Sequence, residues 1–407
     1  MKILLVNKFH YLKGGSEKYY FDLAELLEEN GHEVAFFSMK DEKNIKTHNK
    51  EYFVEPIDLN ANNKLKAKDI IYSKKNQKKM KEALEDFKPD IVHLNNFQRQ
   101  LSASILKPIK KRKIPIVYTA HDIQAICPNK TMLDSENNIC EECLNGRYKN
   151  CFKKTCIKNS KLKSLLGAIE NKYYRIKKIY QKQIDYIITP SEFYRKKLIE
   201  DGIKPKKIET IHNFVKINEY NIKKENGDYA LYFGRISKEK GIYDLIEAAQ
   251  KINNLNLYLA GDGPDFNDIK RIIQNNKMSD RIKMLGFLNS NQIKETIGKC
   301  KFVVLPSIWR DNCPYSIIET MAIGKAIIGT NIGGIPELIQ DGKTGFLTKF
   351  KDNNDLVQKM KKLYSEEKLS LKMGEEAKKV AGTLYTEENY YNRIIKIYER
   401  LVMKNEK

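Results

Sequence analysis

Two carboxylates, Asp311 and Glu319, stand eight positions apart in the stretch SIWRDNCPYSIIETMAIG. The residues before this stretch, KFVVLP, form a short apolar run that predicts a buried strand, and a helical pattern begins between the two carboxylates. We therefore expect Asp311 in a strand-to-helix loop and Glu319 about two turns into the helix. Such loops lie at the carboxyl edge of an α/β sheet, where these folds bind ligands. The pair could hold one extended ligand at two points, although a lone acidic pair is more often a solvated loop residue and a helix-surface residue.

Two cations lie upstream in YALYFGRISKEKGIYDLIEAA, which predicts a strand ending at Gly234, a basic loop and an amphipathic helix. Arg235 and Lys240 flank the loop, and Gly241 opens the helix. The guanidinium fork, the ammonium point charge and the amino end of a helix all favour phosphate oxygens. The loop therefore predicts a diphosphate site.

Glycines end two further predicted strands. LNLYLAGDGP turns at Gly261, and RIKMLGFL turns at Gly286 before Phe287; a glycine lets the backbone approach a ligand closely. Five motifs follow one another along the chain: G-R-x-S-x-E-K-G, A-G-D-G-P, L-G-F-L, the carboxylate pair and I-G-G-I-P-E. This order resembles the carboxyl-terminal domain of retaining nucleotide-sugar glycosyltransferases of family 4. Asp311 stands where that family usually has Glu, one methylene longer.

The resemblance implies a fold and a set of roles. The fold would be α/β, with two Rossmann-like domains facing across a cleft (GT-B) and a last helix that crosses back to the amino-terminal domain. Arg235 and Lys240 would neutralise the diphosphate, Asp311 would hold sugar hydroxyls and Glu319 the ribose. The donor- or nucleotide-binding residues would be Gly14, Gly15, Arg235, Lys240, Gly261, Gly286, Phe287, Asp311, Asn312, Cys313, Tyr315, Ser316 and Glu319. The catalytic residues would be His121, Asp311, Arg235 and Lys240.

The amino half alternates short β-branched runs with helical stretches, which predicts a parallel doubly wound sheet. Gly14 and Gly15 follow the first strand, and Ser16 is a candidate N-cap. Exposed amides there could bind a phosphate or sugar oxygen, or the segment could be a plain turn. His121 ends the strand VYTAHD, where the resemblance places a histidine against the donor sugar. His93 ends DIVHLNN in the same way, and a histidine at a strand end is often structural.

The change of composition between Thr210 and Asp228, polar and rich in lysine, predicts a linker. We expect an acceptor-side domain over residues 1–212, with a cysteine-rich insertion at about 127–160, completed by a carboxyl-terminal helix at about 386–407. Residues 213–385 would form the domain that binds the nucleotide-sugar donor.

Five of the seven cysteines cluster within this insertion. Cys140, Cys143, Cys151 and Cys156 could supply four thiolates to a tetrahedral structural zinc, and Cys127 lies beside them. Free thiols and disulfides are the alternatives, the latter disfavoured in a reducing compartment. The resemblance implies no metal ion or other cofactor for catalysis.

The chain of 407 residues carries 74 Lys and Arg against 52 Asp and Glu, a net charge of +22. No apolar run approaches the roughly 18 residues of a membrane span, and MKILLVNKF is too short for a secretory signal, so we expect a cytoplasmic protein. From Lys153 to Lys182 there are ten Lys or Arg and one Glu, mixed with Leu, Ile and Tyr. This pattern predicts a helix lying on an anionic membrane surface, on the inner face of the plasma membrane, or else only a lysine-rich solvated face.

The predicted activity is transfer of a sugar from a nucleotide-diphospho-sugar to a glycan or lipid-linked acceptor, with retention, in bacterial or archaeal surface polysaccharide or glycolipid assembly. An epimerase or phosphorylase on the same fold is the alternative enzyme. A basic nucleic-acid-binding protein is the alternative of another class. No RNA-recognition, zinc-knuckle or helix-turn-helix pattern supports it, so no nucleic-acid partner is expected.

Overall fold

The structure is a computed structural model that describes residues 1–57, 64–222, 225 and 227–406. The chain divides into two compact units, which we describe separately: unit 1 is Met1–His212 with Tyr390–Lys407, and unit 2 is Asn213–Asn389. Part of the predicted linker, residues 223, 224 and 226, lies outside the described residues.

Each unit is built on one parallel sheet. The strands are β1 Lys2–Val6, β2 Glu33–Met39, β3 Lys50–Val54, β4 Ile91–Leu94, β5 Ile116–Thr119, β6 Tyr186–Thr189, β7 Ile208–Thr210, β8 Ala230–Phe233, β9 Leu257–Ala260, β10 Ile282–Gly286, β11 Phe302–Leu305, β12 Ala326–Thr330 and β13 Gly345–Thr348. Unit 1 has the order β3-β2-β1-β4-β5-β6-β7, and unit 2 has the order β10-β9-β8-β11-β12-β13. Central strands such as ILLV and FVVL are buried on both faces, as expected for a parallel sheet covered by helices.

Helices connect these strands. They are α1 Gly15–Glu29, α2 Lys64–Ile71, α3 Lys74–Phe87, α4 Leu106–Lys111, α5 Lys149–Lys153, α6 Lys161–Ile176, α7 Glu192–Glu200, α8 Ile242–Gln250, α9 Phe266–Asn275, α10 Ser290–Lys299, α11 Tyr315–Ile323, α12 Ile335–Leu338, α13 Asn353–Ser365, α14 Glu367–Leu384 and α15 Glu387–Glu406. No helix in the described ranges is long and apolar enough to cross a membrane.

The last helix, α15, enters unit 1 from residue 390 onward, as the resemblance implied. Tyr390, Ile394 and Tyr398 of this helix are buried. The hydroxyl of Tyr390 bonds to that of Tyr19, and the hydroxyl of Tyr398 bonds to a ring nitrogen of His93 in β4. Unit 1 is therefore assembled from two segments that are far apart in sequence.

The strand order of unit 2 reverses between β8 and β11. After β8 the chain builds β9 and β10 on one side, and then returns to place β11, β12 and β13 on the other. The loops that leave the carboxyl ends of β8 and β11 therefore diverge, and the space between them is the usual ligand position in an open α/β sheet.

Candidate functional site

Two of the residues singled out from sequence meet at this reversal point of unit 2. Lys240 ends a short 3-10 helix, Lys238–Lys240, that follows β8, and Asp311 lies in the loop that follows β11. The ammonium of Lys240 donates a hydrogen bond to Oδ2 of Asp311 at 2.6 Å. Two loops separated by 71 positions in the chain are thus joined by an ion pair.

The ion pair is largely shielded from water. The exposed fraction is 19% for the Lys240 side chain and 8% for that of Asp311, so solvent and salt weaken their attraction less than on an open surface. Ser307 Oγ donates a second hydrogen bond to Asp311 Oδ2 at 3.0 Å, and the Lys240 ammonium lies 5.1 Å from the centre of the Trp309 ring. Within the described residues Asp311 Oδ1 receives no hydrogen bond, so it is the oxygen available to a ligand.

Glycines fix the backbone around this pair. Gly241 has a φ of 72°, and a Cβ atom there would lie 1.8 Å from the carbonyl oxygen of Pro306. Gly333 has a φ of 61°, and its Cβ would lie 2.4 Å from the Asp311 carbonyl oxygen, which accepts a 2.8 Å hydrogen bond from the Gly334 amide. Because only glycine permits these approaches, G-R-x-S-x-E-K-G and I-G-G-I-P-E both position Asp311 and its partner.

Glu319 is held separately. It is the fifth residue of α11, so it lies a little over one turn into the helix, and the expectation of two turns was wrong because the loop runs on to Pro314. Its Oε1 accepts a 3.0 Å hydrogen bond from the hydroxyl of Tyr220, a buried residue that sequence reasoning missed. Tyr220 stands alone in a polar segment, and no spacing in the sequence links it to Glu319.

The strand-end glycines of β8, β9 and β10 also come together. The Gly261 amide donates to the Gly286 carbonyl at 2.7 Å, and a Cβ on Gly261 would lie 1.9 Å from the Gly234 carbonyl oxygen. Phe287, next in the chain, exposes 79% of its surface. The side chain of Arg235 is exposed and has no ion-pair partner in the described part of the chain, so its charge is available to an anion.

The other predicted donor-binding residues that follow Asp311 are mostly buried. Asn312, Cys313 and Tyr315 are buried, and Ser316 is partly exposed. The Cys313 carbonyl accepts a 2.8 Å hydrogen bond from the side chain of Asn213, and burial raises the pKa of the Cys313 thiol. The predicted contacts of these residues with sugar and phosphate stay predictions.

In unit 1, His121 directly follows Ala120 at the end of β5. Its Nε2 donates to Asn95 Oδ1 at 2.9 Å, and its ring meets that of Tyr19 at a centroid distance of 4.6 Å. Burial lowers the pKa of His121 to about 3, so the ring is neutral at pH 7. Its predicted contact with the donor sugar stays a prediction.

His93 is a structural residue. Both of its ring nitrogens have partners, the hydroxyl of Tyr398 and Oγ1 of Thr119, the latter at 2.8 Å. The side chain is fully buried, and burial, together with the neighbouring His121, lowers the pKa of His93 to about 3.

At the start of α1 the expected N-cap was wrong. The helix begins at Gly15, its cap position is Gly14, and Ser16 lies in the first turn. The Ser16 hydroxyl donates to Oε1 of the buried Glu17 carboxylate at 2.9 Å. The predicted binding of a donor oxygen by Gly14 and Gly15 is untested by this geometry.

Five cysteines line one small cavity in unit 1: Cys127, Cys140, Cys143, Cys151 and Cys156. All are free thiols. A hydrogen bond between Cys151 and Cys156 is the largest influence on both, raising the pKa of Cys151 and lowering that of Cys156. Among the residues that the structure describes, no group of three or more Cys, His, Asp or Glu side chains is arranged to hold a metal ion. The cysteines share a cavity, and zinc binding by Cys140, Cys143, Cys151 and Cys156 stays a prediction.

Comparison with known proteins identifies the class. The model named Glycosyltransferase Family 4 matches residues 13–219, just over half of the chain, and the model named Glycosyl transferases group 1 matches residues 215–380. The chain is thus built from two domains of the glycosyltransferase families. It belongs to glycosyltransferase family 4, as its motifs indicated.

Individual relatives agree with this class. N-acetyl-alpha-D-glucosaminyl L-malate synthase of Bacillus anthracis is 30% identical over 48% of this chain and 55% of its own length. An uncharacterized glycosyltransferase of Methanocaldococcus jannaschii is 29% identical over 58% of this chain and 65% of its own length. The matched region thus spans less than two thirds of either relative. The structure of HepE from Anabaena with UDP-glucose matches 98% of this chain and 100% of its own, with a TM-score of 0.71 at 18% identity, which confirms two Rossmann-like domains of the GT-B type.

Proposed function

We propose that the protein transfers a sugar from a nucleotide-diphospho-sugar to a glycan or lipid-linked acceptor, with retention of the anomeric configuration. The observation that carries the proposal is the ion pair of Lys240 and Asp311 at the strand reversal of unit 2. Arg235, in the same loop as Lys240, has no ion-pair partner among the described residues. That HepE was crystallised with UDP-glucose supports the same class of donor here.

The donor would bind as follows. An ammonium group has three N–H donors, and Asp311 occupies one of those on Lys240, which leaves the others for phosphate oxygens. Arg235 adds a second positive charge, and together the two cations stabilise the charge that develops on the departing diphosphate. Asp311 Oδ1 accepts from a sugar hydroxyl, and Glu319, oriented by Tyr220, accepts from the ribose hydroxyls.

In the chemical step, the bond between the anomeric carbon and the diphosphate oxygen breaks, and a bond to the acceptor oxygen forms on the same face of the sugar. The acceptor proton passes to an oxygen of the leaving phosphate, so the products are a nucleoside diphosphate and a glycoside. Asp311 already accepts hydrogen bonds from Lys240 and Ser307, which suits it to orienting groups rather than to attacking the sugar. Arg235 and Lys240 would supply at the diphosphate the positive charge that a metal ion supplies in other transferases.

The acceptor class is inferred from the donor loop. The sequence Asp311-Asn312-Cys313-Pro314 resembles the loop of bacterial family members that build surface polysaccharides and glycolipids. We propose the same role in surface glycan assembly for this protein.

The test is a thermal-shift screen with UDP-, GDP-, ADP- and dTDP-sugars, followed by NMR of the product formed from the best donor. Binding stabilises the native state by RT ln(1 + [L]/Kd), so one nucleotide class should raise the melting temperature. We expect an α-linked donor to give an α-linked product. Inversion would refute retention, and an isomerised but untransferred sugar would favour the epimerase. Product formation that requires inorganic phosphate would favour the phosphorylase.

A further inference from the structure

Helix α6 in unit 1 has its apolar and polar faces reversed relative to an ordinary surface helix. The side chains that point outward include Leu162, Leu165, Ile169 and Ile176, which expose 59%, 39%, 43% and 65% of their surface. Their spacing places them on one face of the helix. The face packed against the protein instead carries mostly small and polar residues, with one aromatic residue near its carboxyl end: Ser164, Gly167, Ala168, Glu170, Asn171 and Tyr174.

Specific contacts hold the helix in this orientation. A Cβ on Gly167 would lie 2.5 Å from the Cδ1 methyl group of Ile157, so the helix packs closely against the protein at that glycine. Ser164 Oγ accepts a 2.9 Å hydrogen bond from the Ile157 amide, and the Asn171 side chain donates to the Gln124 carbonyl at 2.6 Å. Rotating α6 to bury its leucines would break these bonds, so the apolar face is built to be outside.

The one acidic residue of this segment also points inward. Glu170 is fully buried, where it accepts hydrogen bonds from Gln124 and from the Arg99 backbone and lies 3.5 Å from the Arg99 guanidinium. From Lys153 to Lys182 no other residue is acidic. The exposed part of the segment therefore carries positive charge alone.

Exposed lysines border the apolar face. Lys161 and Lys172 lie beside it on the helix, and Lys177 directly follows its last apolar residue. None of the three has an ion-pair partner in the part of the chain that the structure describes. An apolar centre next to unpaired cations matches a surface that is apolar inside and anionic outside.

We propose that this surface, the outward face of α6 with Lys161, Lys172 and Lys177, docks on a bilayer containing acidic lipids. Isoleucine and leucine side chains would enter the boundary between headgroups and acyl chains, while the lysines meet lipid phosphates. A second copy of the chain is a poor occupant, because a two-fold contact through this face would bring lysines against lysines. The inference does not depend on the proposed donor chemistry, but it explains how a lipid-linked acceptor could be reached.

The experiment is flotation of the full chain with liposomes of phosphatidylcholine, with and without phosphatidylglycerol, at low and high salt. We expect flotation only with acidic lipid and its loss at high salt. The double variant L165S/I169S should have a partition coefficient onto acidic liposomes that is lower by roughly tenfold or more. Each lysine changed to glutamine, K161Q or K172Q, should weaken partitioning about fivefold.

The matched control is L371S, which changes an exposed leucine of unit 2 and should float like the unaltered protein. All substituted side chains are exposed, and circular dichroism melting curves will verify that the variants fold. Failure of the unaltered protein to float with acidic liposomes would overturn the proposal, as would unchanged flotation of L165S/I169S. A dimer in solution that L165S/I169S dissociates would assign the face to a second copy instead. Equal transfer activity on a water-soluble acceptor in all variants would leave the proposed function standing even if docking fails.

Discussion

Replacing Lys240 by alanine tests the central ion pair of unit 2. The change removes the ammonium proposed to hold the donor diphosphate and leaves the Asp311 carboxylate with Ser307 as its remaining hydrogen-bond donor among the described residues. It therefore affects both catalysis and stability, and the structure allows the two effects to be separated.

The variant loses a charged hydrogen bond to a developing anion, which is worth about 2–4 kcal/mol of transition-state stabilisation. We therefore expect kcat/KM to fall by roughly 30- to 1000-fold. The structural effect is smaller. Breaking a fully buried ion pair costs about 3–5 kcal/mol, but the Lys240 side chain is 19% exposed, so water can partly solvate the carboxylate that is left. We expect Lys240→Ala to destabilise unit 2 by about 1–3 kcal/mol.

Transfer kinetics with the preferred donor measure the first effect. The fluorescence of Trp309, the only tryptophan of the chain, reports the unfolding of unit 2. Adding Asp311→Asn to Lys240→Ala removes the unpaired carboxylate, so the double variant should regain stability without regaining activity. Lys238→Ala, which removes an exposed lysine from the same 3-10 helix, is the matched control and should keep normal kinetics.

Two results would refute the reasoning. Near-normal kcat/KM in Lys240→Ala would mean that the ammonium does not act on the donor. Recovery of activity in step with stability in the double variant would mean that Lys240 only maintains the fold.

Three further predictions concern packing, metal and protonation. Gly241→Ala should destabilise unit 2 by about 2 kcal/mol or more, because the new Cβ would clash with the Pro306 carbonyl. The control Gly342→Ala has a φ of 76° but open space around it, and it should cost about 1 kcal/mol. Equal losses of stability in urea unfolding would contradict this prediction. Elemental analysis of protein purified under reducing conditions should find one zinc per chain bound by the four predicted cysteines, and absence of metal or a disulfide map linking them would end that idea. Because burial lowers the pKa of His93 to about 3, its NMR signal should stay that of the neutral ring from pH 8 down to pH 5. The free energy of unfolding that the neutral ring contributes should be lost as pH falls from about 6.5 towards 3. A titration midpoint near 6 would contradict this prediction.

The central strands of both sheets could be predicted from sequence, because strands buried on both faces read as continuous apolar runs such as ILLV and FVVL. Three edge strands, β3, β7 and β13, were missed. KEYFV and GFLT are only partly buried, and IET is too short and polar to show any pattern. An edge strand has a neighbour on one side alone and needs less apolar surface, so its sequence carries little signal.

Within the candidate site, the sequence motifs located the loops but did not indicate which side chains of different loops contact each other. The sequence suggested that Lys240 and Asp311 serve one ligand, yet nothing in it indicated that they bind each other, since that contact depends on how β8 and β11 are ordered. The N-cap of α1 was misassigned because the helix begins at Gly15, which leaves Ser16 inside the first turn. The inverted face of α6 was visible only as an amphipathic pattern until its inward contacts were known.

The return of α15 to unit 1 has a consequence for how the protein folds during its synthesis. The first 212 residues leave the ribosome without the helix that supplies Tyr390 and Tyr398 to their interior. At about 5–20 residues per second, translation of unit 2 intervenes for roughly 10–35 s. During this time His93 and Tyr19 lack their final partners, and a nascent chain would expose an apolar groove that chaperones or proteases can recognise. Residues translated after unit 2 therefore decide when unit 1 becomes native, and a ribosome that stops before residue 390 should release an aggregation-prone product.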